Sequence, residues 1–160
     1  MSRLEKSTRR FVVDTNVFVA AVKPFSRPVQ RMRKDTKTLS LLTGLITDQE
    51  LELVGNSRLA GEYSRLAEEL NSKTSRLILQ QLMAKMKIVG VGEKELRRCR
   101  PYLPEKESAD VLHVATCLQT KAVLITNEAH FDKMKQSRII EVWSIGEAIR
   151  RLLSPPQESV

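Results

Sequence analysis

Aromatic residues make up only 4% of this 160-residue chain, so stacking on exposed bases cannot dominate any nucleic-acid binding it performs. The two cysteines, Cys99 and Cys117, and the two histidines, His113 and His130, form no CxxC pair and cannot close a four-ligand zinc site without carboxylates. Both cysteines adjoin helix-like runs and are expected to be reduced, partly buried side chains. No stretch approaches the roughly 20 uninterrupted apolar residues of a membrane span. The opening MSRLEKSTRR is basic without an apolar h-region. A cytoplasmic protein with no membrane contact is expected.

What is present is the balance of a folded domain, 41% hydrophobic and 29% charged, with Gly and Pro too scattered for a collagen-like or low-complexity chain. One domain over residues 10–153 is expected, between a basic tail (1–9) and a C-terminal tail (154–160). The net charge of +8 is unevenly placed. Residues 1–37 hold ten Lys and Arg against three acids, which leaves only +1 on the other 123 residues. Such a patch attracts a polyanion through counterion release. Arg27, Arg31, Arg33, Lys34 and Lys37 are its candidate nucleic-acid contacts.

Short β-branched runs alternate with longer helical patterns. RFVVD (10–14), LELVG (51–55), KIVGV (87–91), AVLIT (122–126) and, more weakly, RIIEVW (138–143) read as buried strands. Helical stretches are expected at 17–21, 28–43, 58–70, 74–86, 93–98, 109–120, 128–135 and 145–152, with Asn71 and Ser72 dividing the long middle region and Ser144 with Glu147 forming a capping box. Strands apolar on both faces and separated by helices imply an α/β, three-layer sandwich around a mostly parallel sheet of about five strands. In such a sheet, ligands bind outside the carboxyl ends of the strands.

Four acids are expected at that edge. Asp14 ends the first strand and Glu128 follows the fourth. Asp110 opens the helix that runs back antiparallel to the fourth strand, and Glu62 lies early in the helix after the second. On that helix Leu59, Tyr63, Leu66 and Leu70 form an apolar stripe that Glu62 borders, whereas Glu68 points away. Singly, each acid has a structural explanation: Asp14 as a helix cap, Asp110 at a helix dipole, Glu62 paired with Arg65, Glu128 as a first-turn acid. Their convergence is what points to a site. With no Lys or His in the same motifs to neutralise them, four acids call for a hard divalent cation, Mg²⁺ or Mn²⁺, and for a phosphodiester substrate.

VVDTNVFVA, the Glu of GEYSRL, the Asp of SADVLHVATCL, and LITNEAHF resemble the four acidic motifs of the PIN-domain family, including its VapC-type toxin ribonucleases. The resemblance covers most of residues 11–143. It implies a Rossmann-like sheet, Mg²⁺- or Mn²⁺-dependent endonucleolytic cleavage of RNA, a homodimer or higher homo-oligomer, and an antitoxin partner protein. It also implies that Asp14, Glu62 and Asp110 are the first three acids, that Asn16 orients the first, and that Thr126 is the small hydroxyl residue before the fourth. Glu128 stands where the family usually has Asp. His130 stands where some members have a further acid.

The remaining candidates read as structural. Val111, Val114, Ala115 and Leu118 form the buried stripe of their helix, which puts His113 on the opposite, solvent-facing side. Phe131 is expected in the core, Asp132 in water, and Trp143 in the core or a dimer interface. An aspartyl phosphatase is disfavoured because Asn16 replaces the second Asp of its D-x-D. The expected function is a metal-dependent endoribonuclease using Asp14, Glu62, Asp110 and Glu128. Its rival is a PIN-like module that binds RNA or protein with a metal site weakened by Glu128.

Overall fold

The computed structural model describes residues 9–26, 36–103 and 108–153 of the chain. Among these residues five strands, β1 (Arg9–Val13), β2 (Leu51–Gly55), β3 (Lys87–Ile88), β4 (Val123–Ile125) and β5 (Val142–Trp143), form one sheet in the order β3-β2-β1-β4-β5, and every pairing is parallel. All five expected strands are therefore found. β3 and β5 are shorter than expected: beyond Ile88 the chain adds one ladder bond, Val89 N–H to the Gly55 carbonyl at 2.8 Å, and residues 138–141 lead into β5 from a left-handed turn at Arg138.

Among the described residues eight α-helices connect and cover the strands: α1 (Thr15–Val22), α2 (Lys37–Thr47), α3 (Ser57–Leu70), α4 (Lys73–Lys85), α5 (Glu93–Cys99), α6 (Ser108–Thr120), α7 (Asp132–Ser137) and α8 (Ile145–Leu152). The helix expected at 28–43 is described only from Lys37, and it continues to Thr47. The helix expected at 128–135 is instead a 3-10 turn over Ala129–Phe131 followed by α7, so Glu128 precedes it rather than lying in its first turn. Between α3 and α4 the chain turns at Asn71, in the left-handed region (φ 49°), and Ser72 caps α4 by accepting from Ser75 N–H. At α8 only half of the expected box is made, the Ser144 hydroxyl accepting from Glu147 N–H at 3.0 Å.

The chain visits β1, β2 and β3 outward in one direction and then returns to place β4 on the other side of β1. With right-handed crossovers, the α1–α4 connections and the α5–α6 connection fall on opposite faces. α6 packs across β1, β2 and β4 and also against α5 and α3, while α2 lies against β2, α1 and α8. Phe11, Val12 and Val13 are buried on both faces, which is why β1 reads as an unbroken apolar run. Phe11 stacks at a tilt on Trp143 (centroids 5.4 Å apart), and Phe18 on Tyr63 (5.6 Å). Trp143 and Phe131 are core residues, Asp132 is exposed, and both cysteines are free and buried. Burial pushes the Cys99 thiol up to about 11 and holds the Cys117 thiol well above its ordinary value, so neither is a reactive thiolate.

Among the described residues no helix is long and apolar enough to cross a membrane. The two expected tails up to residue 8 and from residue 154, and the basic residues Arg27, Arg31, Arg33 and Lys34, lie outside the described residues; Lys37 is described, at the exposed first position of α2.

Helix α4 provides a test of the packing. Leu82 is fully buried on it and its neighbour Gln81 is exposed. Leu82→Ala is expected to cost about 2–5 kcal/mol in urea denaturation and Gln81→Ala to stay within about 0.5 kcal/mol.

Candidate active site

The switch point of the sheet lies between β1 and β4, and the register across it is the first determinant of the site. Phe11 pairs with Val123, Val12 with Leu124 and Val13 with Ile125. One step further along, Asp14 and Thr126 leave the sheet side by side, still tied by the Asp14 N–H to the Ile125 carbonyl at 3.0 Å. The Thr126 hydroxyl donates to Asp14 Oδ2 at 2.6 Å, and Asp14 Oδ1 accepts from Thr15 N–H at 2.8 Å, so Asp14 also caps α1.

Asp14 is only 4% exposed. Burial raises its carboxyl above the ordinary value, against the Thr126 and Thr15 hydrogen bonds, and the charge of Glu128 adds to the rise. Glu128 is held nearby by Asn16, whose Nδ2 donates to Glu128 Oε2 at 3.0 Å and to the Thr126 hydroxyl at 3.4 Å. The Glu128 N–H also donates to the Thr126 hydroxyl (3.0 Å), and Asn127 N–H approaches Asn16 Oδ1 at 3.5 Å. Asp14, Asn16, Thr126 and Glu128 are thus one hydrogen-bonded cluster. Asn16 bonds to the fourth acid rather than to the first.

Tyr63, fully buried on α3, donates its hydroxyl to the Val13 carbonyl, immediately before Asp14. Burial, with the charges of Asp14 and Glu62, pushes the Tyr63 phenol well above its ordinary value, so it stays a donor. Glu62, half-buried one position earlier, does not pair with Arg65, which instead bonds Glu69 at 3.1 Å. Its Oε2 meets Arg58 at 3.4 Å and its Oε1 accepts from His113 Nε2 at 3.2 Å.

The surface reading of His113 is overturned. The residue is 1% exposed, because α6 contacts the sheet and both α5 and α3, leaving almost no solvent face near its middle. Its stripe of Val111, Val114 and Ala115 is buried as expected, but burial continues through Thr116 and Cys117. The premise that no histidine accompanies the acids falls with it, since His113 hydrogen-bonds one of them. Asn56, which sequence reasoning passed over, caps α3 by accepting from Leu59 N–H (2.8 Å) and turns its Nδ2 toward His113 Nδ1 (3.2 Å) and Thr116 Oγ1 (3.0 Å). The available signals were a polar Asn directly after β2 and the three-residue spacing from Asp110 to His113, which puts both on one side of a helix. Asp110 is half-buried in the first turn of α6, one turn nearer the carboxyl edge than His113. The side chain of His130 lies outside the described residues.

An all-parallel α/β sheet with a buried aspartate at its switch point and further acids on the flanking helices belongs to the doubly wound class, whose sites sit at this edge. The PIN domain family model matches residues 11–136, and the chain belongs to the PIN domain family. PIN domains are typically nucleases and generally use divalent metal ions. Two solved structures share the fold. VapBC2 from Rickettsia felis, bound to a DNA fragment from its promoter, aligns at 16% identity with a TM-score of 0.54, over 84% of this chain and 98% of that one. FitAcB from Neisseria gonorrhoeae aligns at 18% identity with a TM-score of 0.51, over 85% and 98%. The chain matches no curated protein sequence.

The donor set fits a hard cation in its chemistry: carboxylate oxygens only, one of them buried and energetically uncomfortable as an anion. Among the described residues, however, no three Asp, Glu, His or Cys side chains are gathered closely enough to hold a metal ion as they stand. Glu62 is turned to His113 and Arg58 instead.

The His113 hydrogen bond holds the Glu62 carboxyl below its ordinary value, against burial, with Arg58 and Arg65 contributing charge. A lowered folded value means that the stability contributed is present above the ordinary carboxylate range and is lost as pH falls through the folded value. Glu62→Gln is therefore expected to lower stability by about 1 kcal/mol at neutral pH and to converge with the unsubstituted protein in acid. Denaturant midpoints across pH check this, and curves that stay parallel at every pH contradict it.

Proposed function

We propose that this protein is a metal-dependent endoribonuclease hydrolysing RNA phosphodiester bonds, with Asp14, Glu128, Glu62 and Asp110 holding Mg²⁺ or Mn²⁺. The observation that carries the reading is the buried Asp14, kept by Thr126 at the switch point with Glu128 tethered to the same hydroxyl through Asn16. An anion so placed is stabilised by a cation and is otherwise a cost to the fold. A bound divalent cation would supply charge stabilisation at phosphorus and a water acidic enough to attack near neutral pH.

The chain's own residues do the rest. Asp14 is fixed at both oxygens and cannot swing away, while Asn16 sets the direction of Glu128. Glu62 joins once it releases Arg58, a rim guanidinium free to move because it is more than half exposed. Arg27, Arg31, Arg33, Lys34 and Lys37 position the phosphate backbone, which orients the scissile bond without reading sequence. Because water attacks, the 2′-hydroxyl takes no part and the products carry 5′-phosphate.

The role as toxin of a toxin–antitoxin pair, with an antitoxin partner and a cytoplasmic location, follows from the VapC-type resemblance, and the likeness of fold to VapBC2 and FitAcB supports it. A homodimer is part of the same reading: α4 carries two exposed apolar side chains, Leu77 and Met83, and light scattering tests it. A second reading, a catalytically weak RNA- or protein-binding module, is favoured by one observation, that no three metal-ligating side chains are gathered among the described residues.

RNA incubated with the protein and Mn²⁺ separates the two. The nuclease reading expects 5′-phosphorylated fragments that EDTA or Asp14→Asn abolishes, whereas RNA bound intact with or without metal favours the module. Mn²⁺ should also raise the melting temperature by about 2–4 °C for each kcal/mol of linked binding, and Asp14→Asn should remove that rise. Replacing Arg27, Arg31, Arg33, Lys34 and Lys37 with alanine should weaken RNA binding at low salt and flatten its salt dependence, by about 0.7 in log–log slope per lost contact to a single strand. An unchanged slope would take the patch out of the interface.

A further inference from the structure

His113 has no part in the four-acid reading, yet it is 1% exposed and its ring touches one of those acids. Its protonation pattern can be assigned by following donors. Asn56 Oδ1 accepts from Leu59 N–H at 2.8 Å, which fixes the amide so that Nδ2, a donor only, faces inward. That Nδ2 meets His113 Nδ1 at 3.2 Å and Thr116 Oγ1 at 3.0 Å, and Thr116 spends its own proton on the Leu112 carbonyl at 2.8 Å. His113 Nδ1 must therefore accept. The ring proton is left on Nε2, which donates to Glu62 Oε1 at 3.2 Å. The chain of bonds runs from the N-cap of α3, through a neutral imidazole on α6, back to a carboxylate two turns along α3.

We propose that His113 is a positioning residue: its Nε2–H holds one oxygen of Glu62 and leaves the other, Oε2, as the single oxygen that Glu62 offers to a cation. The inference rests on the metal-site reading above and adds to it. The two oxygens of Glu62 are in different situations. Among the described residues Oε2 is held by Arg58 alone, whose side chain is 55% exposed and exchanges readily with solvent, whereas the partner of Oε1 is 1% exposed and anchored at both ring nitrogens. With Arg58 released, Glu62 would present a carboxylate whose rotamer His113 has already set. Partners that orient a ligating side chain in this way typically change metal affinity 10–100-fold when removed.

Two substitutions divide the ring. The amide of Asn reaches about as far as Nδ1, so His113→Asn keeps an acceptor for Asn56 and loses the donor to Glu62. The longer Gln places its amide near Nε2, so His113→Gln keeps the donor. Mn²⁺ binding, read as free Mn²⁺ by electron paramagnetic resonance on the full chain, is expected to weaken 10–100-fold in His113→Asn and to stay close to the unsubstituted protein in His113→Gln. Asp14→Asn is the control for the site itself. If the unsubstituted protein and Asp14→Asn both bind no Mn²⁺, the metal site fails and this inference with it. If Asp14→Asn abolishes binding while His113→Asn binds like the unsubstituted protein, the metal site survives and the positioning role is overturned. Equal loss in folded His113→Asn and His113→Gln means a packing role only and overturns it too. Ring ¹⁵N NMR of the metal-free, unsubstituted protein at mildly alkaline pH provides a readout free of any folding defect: His113 should carry its proton on Nε2, and a proton on Nδ1 refutes the assignment.

Discussion

The hydrogen bond between the Thr126 hydroxyl and the Asp14 carboxylate is the constraint on which the candidate site depends. It exists because β1 and β4 pair in parallel, in a register that brings both residues out of the sheet at the same level. Slipping that register by one residue would carry Asp14 away from Thr126 and exchange Phe and Val between two buried faces packed for side chains of different size. The packing of Phe11, Val12 and Val13 therefore enforces the geometry of the site: the core sets the register, and the register sets the carboxylate. Thr126 also ties in Asn16 and the backbone of Glu128, so a single hydroxyl joins three elements.

The second constraint is a polar chain through the interior. Asn56, His113 and Thr116 are buried between α3 and α6, where apolar side chains would pack at less desolvation cost. Every donor and acceptor in the chain is matched, which is the condition under which such a network specifies one arrangement. Its outlet is Glu62, and Tyr63 beside it bonds the carbonyl before Asp14. Helix α3 thus fastens to both the β1 terminus and α6, and the two halves of the site are set relative to each other by buried bonds.

The α/β class, all five strands and the position of Asp14 were legible in the residues, because strands buried on both faces are apolar throughout and an acid closing such a run stands out. The lengths of β3 and β5 were not legible: edge pairing depends on how far a neighbour extends, and neither KIVGV nor RIIEVW records that. The helix expected from Glu128 begins instead as a 3-10 turn after it, which leaves Glu128 between β4 and α7, tethered by Asn16.

His113 shows where one-dimensional reading ends. Helical periodicity separates a buried face from a wet one only when the helix has a wet face, and α6, covered by the sheet and by two helices, has almost none near its middle. The order of residues decided which segments would be strands and helices and which acids would lie at strand and helix ends, since these follow from local preference and chain direction. Which acid meets which partner, Glu62 with Arg58 and His113 rather than Arg65, and Glu128 with Asn16, was decided only by tertiary packing, because a hydrogen bond is set over a few tenths of an ångström and no spacing along the chain carries that precision.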